Sequence, residues 1–329
     1  MWRIPPVPRS QDILDLAFSR AKRLRIDPQG GRDRKRVFTQ RKADTAAATI
    51  QKELQRIEKA FPSIGNLHPF FNNLIDCTVG TDDLKHSLGA LSWAKNKVRK
   101  AHGDAIRGMK RKKDEDYASI LTSFYGRVSS IVNQVDQDLV FLADARERFK
   151  SIPGVDPSLP TVVIAGYPNV GKSQLVGALS RASPKVASYP FTTTSIHIGH
   201  MEHRRVKIQV VDTPGLLDRG SDRLNPAEVQ AVTALRHLAD MIIFLFDPTG
   251  ECGYTPESQK ELMERIAGEF PQVPMLDVDN KADLGLPKGD RSQISALSGE
   301  GVEELRSLIM ERLDKTDKWK ELTDVSTFD

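Results

Sequence analysis

Cysteine is nearly absent from the 329 residues: Cys77 and Cys252 are the only two, too few and too far apart for a disulfide framework or a cysteine-based zinc site. A reducing compartment and a cytoplasmic location are expected. Long apolar runs are missing as well. The longest, Met241 to Phe246 (MIIFLF), falls far short of the roughly 20 residues that cross a bilayer, so neither a membrane span nor a membrane partner is expected. The opening Met-Trp-Arg-Ile-Pro-Pro lacks an apolar signal core, which argues against secretion. There is no internal repeat and no low-complexity segment. What remains is 39% hydrophobic and 28% charged, enough apolar material for packed cores. At roughly 100 to 200 residues per domain the chain has room for two.

Charge is unevenly spread. Cut at the Pro-rich stretch 152–160 (IPGVDPSLP), residues 1–157 hold 29 Lys and Arg against 19 Asp and Glu, whereas the remainder holds 19 against 25. A basic half joined to an acidic half is what a polyanion-binding module attached to a separate working domain looks like; a solvated helical surface is the plainer alternative. The basic residues gather in two runs, ten between Arg20 and Lys42 and nine between Lys95 and Lys113. Such clusters neutralise phosphates and release counterions. With a single aromatic, Phe38, among them, they predict shape-based, salt-sensitive RNA binding.

In the basic half apolar residues recur at helical spacing. Ala43, Ala47, Ile50, Leu54, Ile57 and Phe61 form one stripe; Leu84, Leu88, Leu91, Val98 and Ala105 form a second; the run from Tyr117 through Phe124, Val128, Ile131 and Val135 to Leu142 forms a third. A shorter helix is expected from Ser10, with the Ser10 hydroxyl as its cap, burying Ile13, Ala17 and Leu24. The reading is an all-α antiparallel bundle over residues 1–157. After Pro160 the period changes. Strands are expected at 161–165, 195–202, 205–211, 241–246, 273–278 and 293–294, and helices at 172–180, 226–239, 257–270 and 301–313. That alternation predicts an α/β domain over residues 158–315, a mainly parallel sheet with helices on both faces, followed by a short tail over 316–329. Ligands of such sheets sit at the carboxyl ends of the strands.

Those ends carry the chemistry. Gly166-Tyr-Pro-Asn-Val-Gly171-Lys172-Ser173 fits G-x-x-x-x-G-K-[ST] between a strand and a helix. Gly166 and Gly171 let backbone N–H groups of the loop, Asn169 and Val170 included, wrap phosphates, with Gln174 in the first helical turn beside them. Lys172 supplies a point charge to the outer phosphates and Ser173 a hydroxyl for magnesium. Asp212, at the tip of a later strand, can hold magnesium through water, and the N–H of Gly215 can meet a terminal phosphate; Asp-Thr-Pro-Gly is also an ordinary turn. Between them, Tyr189-Pro-Phe-Thr-Thr-Thr194 offers hydroxyls that complete the metal shell only when a third phosphate is present. Thr193 is the first candidate, although Thr also favours strand entry. In Asn280-Lys281-Ala282-Asp283 the aspartate can accept from two donors on the guanine edge, which disfavours ATP. Ser295, Ala296 and Leu297 would bring backbone N–H groups to the guanine carbonyl. The catalytic candidates are Lys172, Thr193 and Gly215, and the metal candidates Ser173, Thr193 and Asp212. His197, His200 and His203 have no ligand set and are expected on an exposed hairpin.

Taken together, these motifs resemble the Obg-related P-loop GTPases, and most closely the Nog family. The strings Glu228-Val-Gln-Ala-Val-Thr-Ala-Leu-Arg-His-Leu238 and Cys252-Gly-Tyr-Thr-Pro-Glu-Ser-Gln259 carry the family-level likeness, which covers nearly the whole chain and looks like the short, archaeal-type form. The resemblance implies GTP and GDP as ligands with Mg2+, GTP hydrolysis, and work in assembly of the large ribosomal subunit, with ribosomal RNA and ribosomal proteins as partners; a monomer is expected. Leu216-Leu217 stands where Ras-like proteins place a water-orienting glutamine, so slow intrinsic hydrolysis is implied. Asn169 matches an asparagine with which related GTPases hold K+; stabilising the loop backbone is its alternative role. A nucleotide-gated RNA-binding scaffold with negligible hydrolysis is the competing reading.

Overall fold

The computed structural model describes residues 2–25, 34–111, 117–188, 195–212, 214–215, 217–218, 226–285 and 289–325. Two compact units emerge, one made of residues 1–67 and 79–150, the other of residues 68–78 and 151–329.

The first unit is helical: α1 (Ser10–Lys22), α2 (Arg34–Ala60), then, beyond α3 (Pro69–Val79), α4 (Thr81–Arg111), α5 (Tyr117–Gln134) and α6 (Asp136–Phe149). The stripe of α2 is buried along its length, as its spacing requires, from Ala43 to Phe61. Pairing of Lys95 with Glu58, and of His102 with Asp44 at 2.6 Å, fixes α4 antiparallel to α2. Two details differ from the sequence reading. Ser10 is the first helical residue of α1 and is buried; Arg9 precedes it as the cap residue, and the Arg9 N–H donates to Asp12 while the Ser10 N–H donates to Asp136. The third stripe is two helices, broken at Val135 (φ −101°, ψ 15°).

In the second unit the strands are β1 (Thr161–Ala165), β2 (Lys185–Ser188), β3 (Ser195–His203), β4 (Val206–Asp212), β5 (Met241–Phe246), β6 (Met275–Asp279) and β7 (Ser292–Gln293). They form one sheet in the order β2-β3-β4-β1-β5-β6-β7; β4-β1-β5-β6-β7 is parallel, and β2 and β3 add an antiparallel edge. The helices are α7 (Lys172–Leu179), α8 (Pro226–Arg236), α9 (Pro256–Glu269), α10 (Val302–Leu313) and α11 (Asp317–Val325). Val162, Ile164, Met241, Ile243 and Leu245 share a core with Leu175, Val176, Leu305 and Ile309 of α7 and α10. Val163, Ile242 and Phe244, which alternate with them and point to the opposite face, are equally buried. Burial on both faces is why β1 and β5 read as unbroken apolar runs.

Within the expected tail, residues Asp317–Val325 form helix α11, whose Trp319 enters that core while Lys318 pairs with Asp240 at 2.7 Å. Helix α3 and edge strand β2 were not expected.

Candidate functional site

The carboxyl ends of β1, β4, β5 and β6 converge on the loop 166–171. Backbone conformation makes that loop possible. Gly166 (φ 137°) lies so close to β5 that a Cβ would come within 2.6 Å of the Leu245 carbonyl oxygen, and at Gly171 (φ 102°) a Cβ would sit 2.3 Å from Asn280 Nδ2. Asn169 also has positive φ, 65°, a conformation that Asn tolerates better than most residues. Gly171 then opens α7, so its first-turn amides face the loop.

Lys172 is buried, and its Nζ donates to the carbonyls of Gly166 and Tyr167, each at 2.8 Å. Burial pulls its pKa below the ordinary lysine value, with the charges of Asp212 and Asp218 opposing. Ser173 Oγ donates to Asp212 Oδ2 at 2.5 Å. Asp212 has no exposed surface, and its other oxygen, Oδ1, has no hydrogen-bond partner among the described residues. Burial raises the pKa of this carboxyl, and the Ser173 hydrogen bond offsets part of the effect. An orphaned buried carboxylate oxygen beside a hydroxyl is a hard-oxygen donor set, which suits Mg2+.

Thr193, the proposed third ligand, lies outside the described residues, as do Thr213 and Leu216. Gly215 (φ 81°) is described, and its N–H donates to Asp218 Oδ2 at 2.8 Å. Leu217 is buried, and its carbonyl accepts from the Gly166 N–H at 3.2 Å.

At the other end, Asn280 acts as a staple. Its Nδ2 donates to the Val170 carbonyl at 2.8 Å, and its Oδ1 accepts from the Ala296 N–H at 2.9 Å. The Ser295 N–H goes to Glu300. Of the three amides expected to meet a base, that of Leu297 is the one with no partner among the described residues. Lys281 (φ 68°) opens the short turn Ala282–Leu284 that carries Asp283; the Asp283 side chain is exposed and makes no hydrogen bond among the described residues. An open cleft of about 430 Å³ lies between Gln174, Gly177 and Ala178 of α7 and residues 296–299.

Three residues given no part in the site by the sequence belong to this architecture. Asp247, fully buried at the end of β5, takes Lys281 Nζ at 2.7 Å and the Cys252 N–H at 2.8 Å on one oxygen, and Thr249 on the other. Burial would raise its pKa; the hydrogen bonds from Lys281 and Thr249 outweigh that and hold it low. Tyr254 stacks on Tyr167 of the phosphate loop, ring centroids 3.8 Å apart and 12° from parallel. His197 faces Asp212 across β3 and β4, its Nδ1 3.5 Å from Oδ2; it is part of the site's wall, not of a free hairpin. The Cys252–Gln259 string was conspicuous in the sequence, but nothing there tied it to Tyr167.

Comparison with known proteins accords with this geometry. Residues 2–156 match the NOG1 N-terminal helical domain, and residues 161–281 match a 50S ribosome-binding GTPase domain. The chain is 40% identical over 250 residues to the uncharacterized protein MJ1408 of Methanocaldococcus jannaschii, an alignment covering 76% of this chain and 70% of that protein. It belongs to the nucleolar GTP-binding protein 1, or Nog, family. Other Nog members include nucleolar GTP-binding protein 1 of Kluyveromyces lactis, 33% identical over 87% of this chain, and of Arabidopsis thaliana, 32% identical over 91%. This Nog chain spans about 45% of the length of those eukaryotic relatives. Its second unit therefore carries a P-loop GTPase domain, a GTP-binding and GTP-hydrolysing class. Among the described residues no helix is long and apolar enough to cross a membrane.

Proposed function

We propose that this Nog protein binds GTP and GDP with Mg2+, hydrolyses GTP slowly, and serves as a cytoplasmic, monomeric assembly factor for the large ribosomal subunit. The observation that carries the nucleotide reading is the Asn280 side chain, which joins Val170 of the phosphate loop to Ala296 of the base loop. Loop amides 166–171, the amino end of α7 and Lys172 hold the phosphates. Ser173 and Asp212 would hold the metal, with Thr193 added when a third phosphate is present. Bound magnesium neutralises charge on the β- and γ-oxygens during phosphoryl transfer. Asp283 accepts from the guanine edge, and the Leu297 N–H donates to the guanine carbonyl.

Leu216 and Leu217 offer no group to orient water. Asn169 would hold K+ beside the phosphates, supplying charge where other GTPases use an arginine finger worth about 10³ to 10⁵ in rate. For ribosomal RNA, the antiparallel packing of α2 and α4 brings exposed Arg34, Lys35 and Arg41 to the same end of the bundle as Lys110 and Arg111. About five phosphate contacts there would give a salt slope near −3.5 to −4.5.

Steady-state GTP turnover with and without large-subunit particles, in K+ and in Na+, tests the reading. Stimulation by the particle, greater in K+, is expected. Equal rates in the two cations would remove the role of Asn169. No stimulation in any buffer would favour the second reading, a nucleotide-gated RNA scaffold, which the buried, apolar Leu217 supports.

A further inference from the structure

We propose that Asp218 is a built-in competitor for the terminal phosphate of GTP, and so sets the balance between GTP and GDP. The inference rests on the nucleotide reading of the site. On that reading, the donors of this chain that meet a third phosphate include the Gly215 N–H and the Lys172 ammonium. Asp218 Oδ2 accepts from the first at 2.8 Å. Its charge also reaches the second, countering the effect of burial on Lys172. Nor is the carboxylate there by accident of a loose loop: the neighbouring Leu217 is buried, with its carbonyl bonded to Gly166 at the root of the phosphate loop.

Carboxylate and terminal phosphate are both anions seeking the same amide, and one N–H cannot serve both at full strength. GTP must therefore displace Asp218, whereas GDP, which has no γ-phosphate, leaves the contact intact. A charge-assisted hydrogen bond of this kind resists displacement by about tenfold or more in affinity. Breaking it would free the Asp218 side chain, which makes the contact a means of reporting the third phosphate.

The test is equilibrium competition on the full chain in saturating Mg2+, with fluorescent GDP displaced by unlabelled GDP or by the non-hydrolysable analogue GppNHp. Asp218→Ala should bind GppNHp more tightly than wild type by about tenfold or more, and Asp218→Asn, which keeps a neutral acceptor, should gain less, with GDP affinity within twofold in both. A residue that merely stabilises the loop would weaken both ligands when changed. An unchanged or lower GppNHp:GDP affinity ratio in both variants would overturn the proposal, and so would a loss of kcat with that ratio unchanged, which would make Asp218 a group acting on the attacking water. If the wild-type chain bound neither nucleotide, the reading of the site itself would fall.

Discussion

In the proposed function, Asp283 is the residue on which base identity turns. Its exposed carboxylate sits on the turn opened by Lys281, and Lys281 is anchored to buried Asp247 at 2.7 Å and to Glu251 at 3.1 Å. Burial pulls the Lys281 pKa down, but these two carboxylates outweigh it and raise it. Asp283→Asn exchanges an acceptor for a donor at the base edge. GDP affinity should fall about 10- to 150-fold, since charge-assisted hydrogen bonds are worth about 1.5–3 kcal/mol, and xanthosine diphosphate, which presents a carbonyl where guanine has an amino group, should gain. Displacement of a fluorescent nucleotide by each base measures it; unchanged GDP affinity would remove Asp283 from the base contact. The phosphate loop and this turn were legible in the sequence because glycines and Asn-Lys-x-Asp are local signals. Asp247, Tyr254 and His197 were not. Their partners lie 34, 87 and 15 residues away, and only the strand order brings them together.

Elements were legible where one period ran unbroken between turn signals. Strands β1 and β5 fall where their apolar runs lie. The third helical stripe failed for the converse reason: Ile131, Val135 and Leu139 keep a spacing of four straight through the break at Val135, so periodicity alone gives no sign of it. What marks the break is a tertiary contact. Asp136, the first residue of α6, accepts from the Ser10 N–H at 3.0 Å and from Arg9 Nε at 3.2 Å, tying the start of α1 to that of α6. The Arg9 hydrogen bond, followed by that from Ser10, holds the Asp136 carboxyl well below the usual carboxylate range. A depressed folded-state pKa gives stability that is present above the unfolded value of about 3.9 and is lost as pH falls through the folded value. Asp136→Asn should therefore lower the melting temperature of the helical unit at pH 7, and the gap from wild type should narrow below about pH 4. A gap constant from pH 7 to pH 2 would mean that the carboxylate charge contributes nothing.

At the scale of the molecule, the chain order and the compact units disagree. Charge and periodicity divide the sequence once, near residue 157, yet residues 68–78 leave the helical half and fold with residues 151–329. His68, immediately before α3, has Lys318, His237 and Asp240 in its surroundings, with burial the main influence lowering its pKa. Composition hints at this only weakly: α3 lacks the Lys and Arg that every bundle helix carries, but a short apolar helix does not say where it docks. The consequence is thermodynamic. Leu74 of α3 is fully buried, and Leu→Ala at such a site costs about 2–5 kcal/mol. For a unit of this size each kcal/mol lowers the melting temperature by about 2–4 °C. GDP binds the second unit and raises its melting temperature by mass action, which labels that transition in the intact chain. Leu74→Ala should thus lower the GDP-responsive transition by roughly 4–20 °C and leave the other in place. Were calorimetry to find the GDP-insensitive transition moving instead, α3 would belong energetically to the bundle, and the single division read from the sequence would be the physical one.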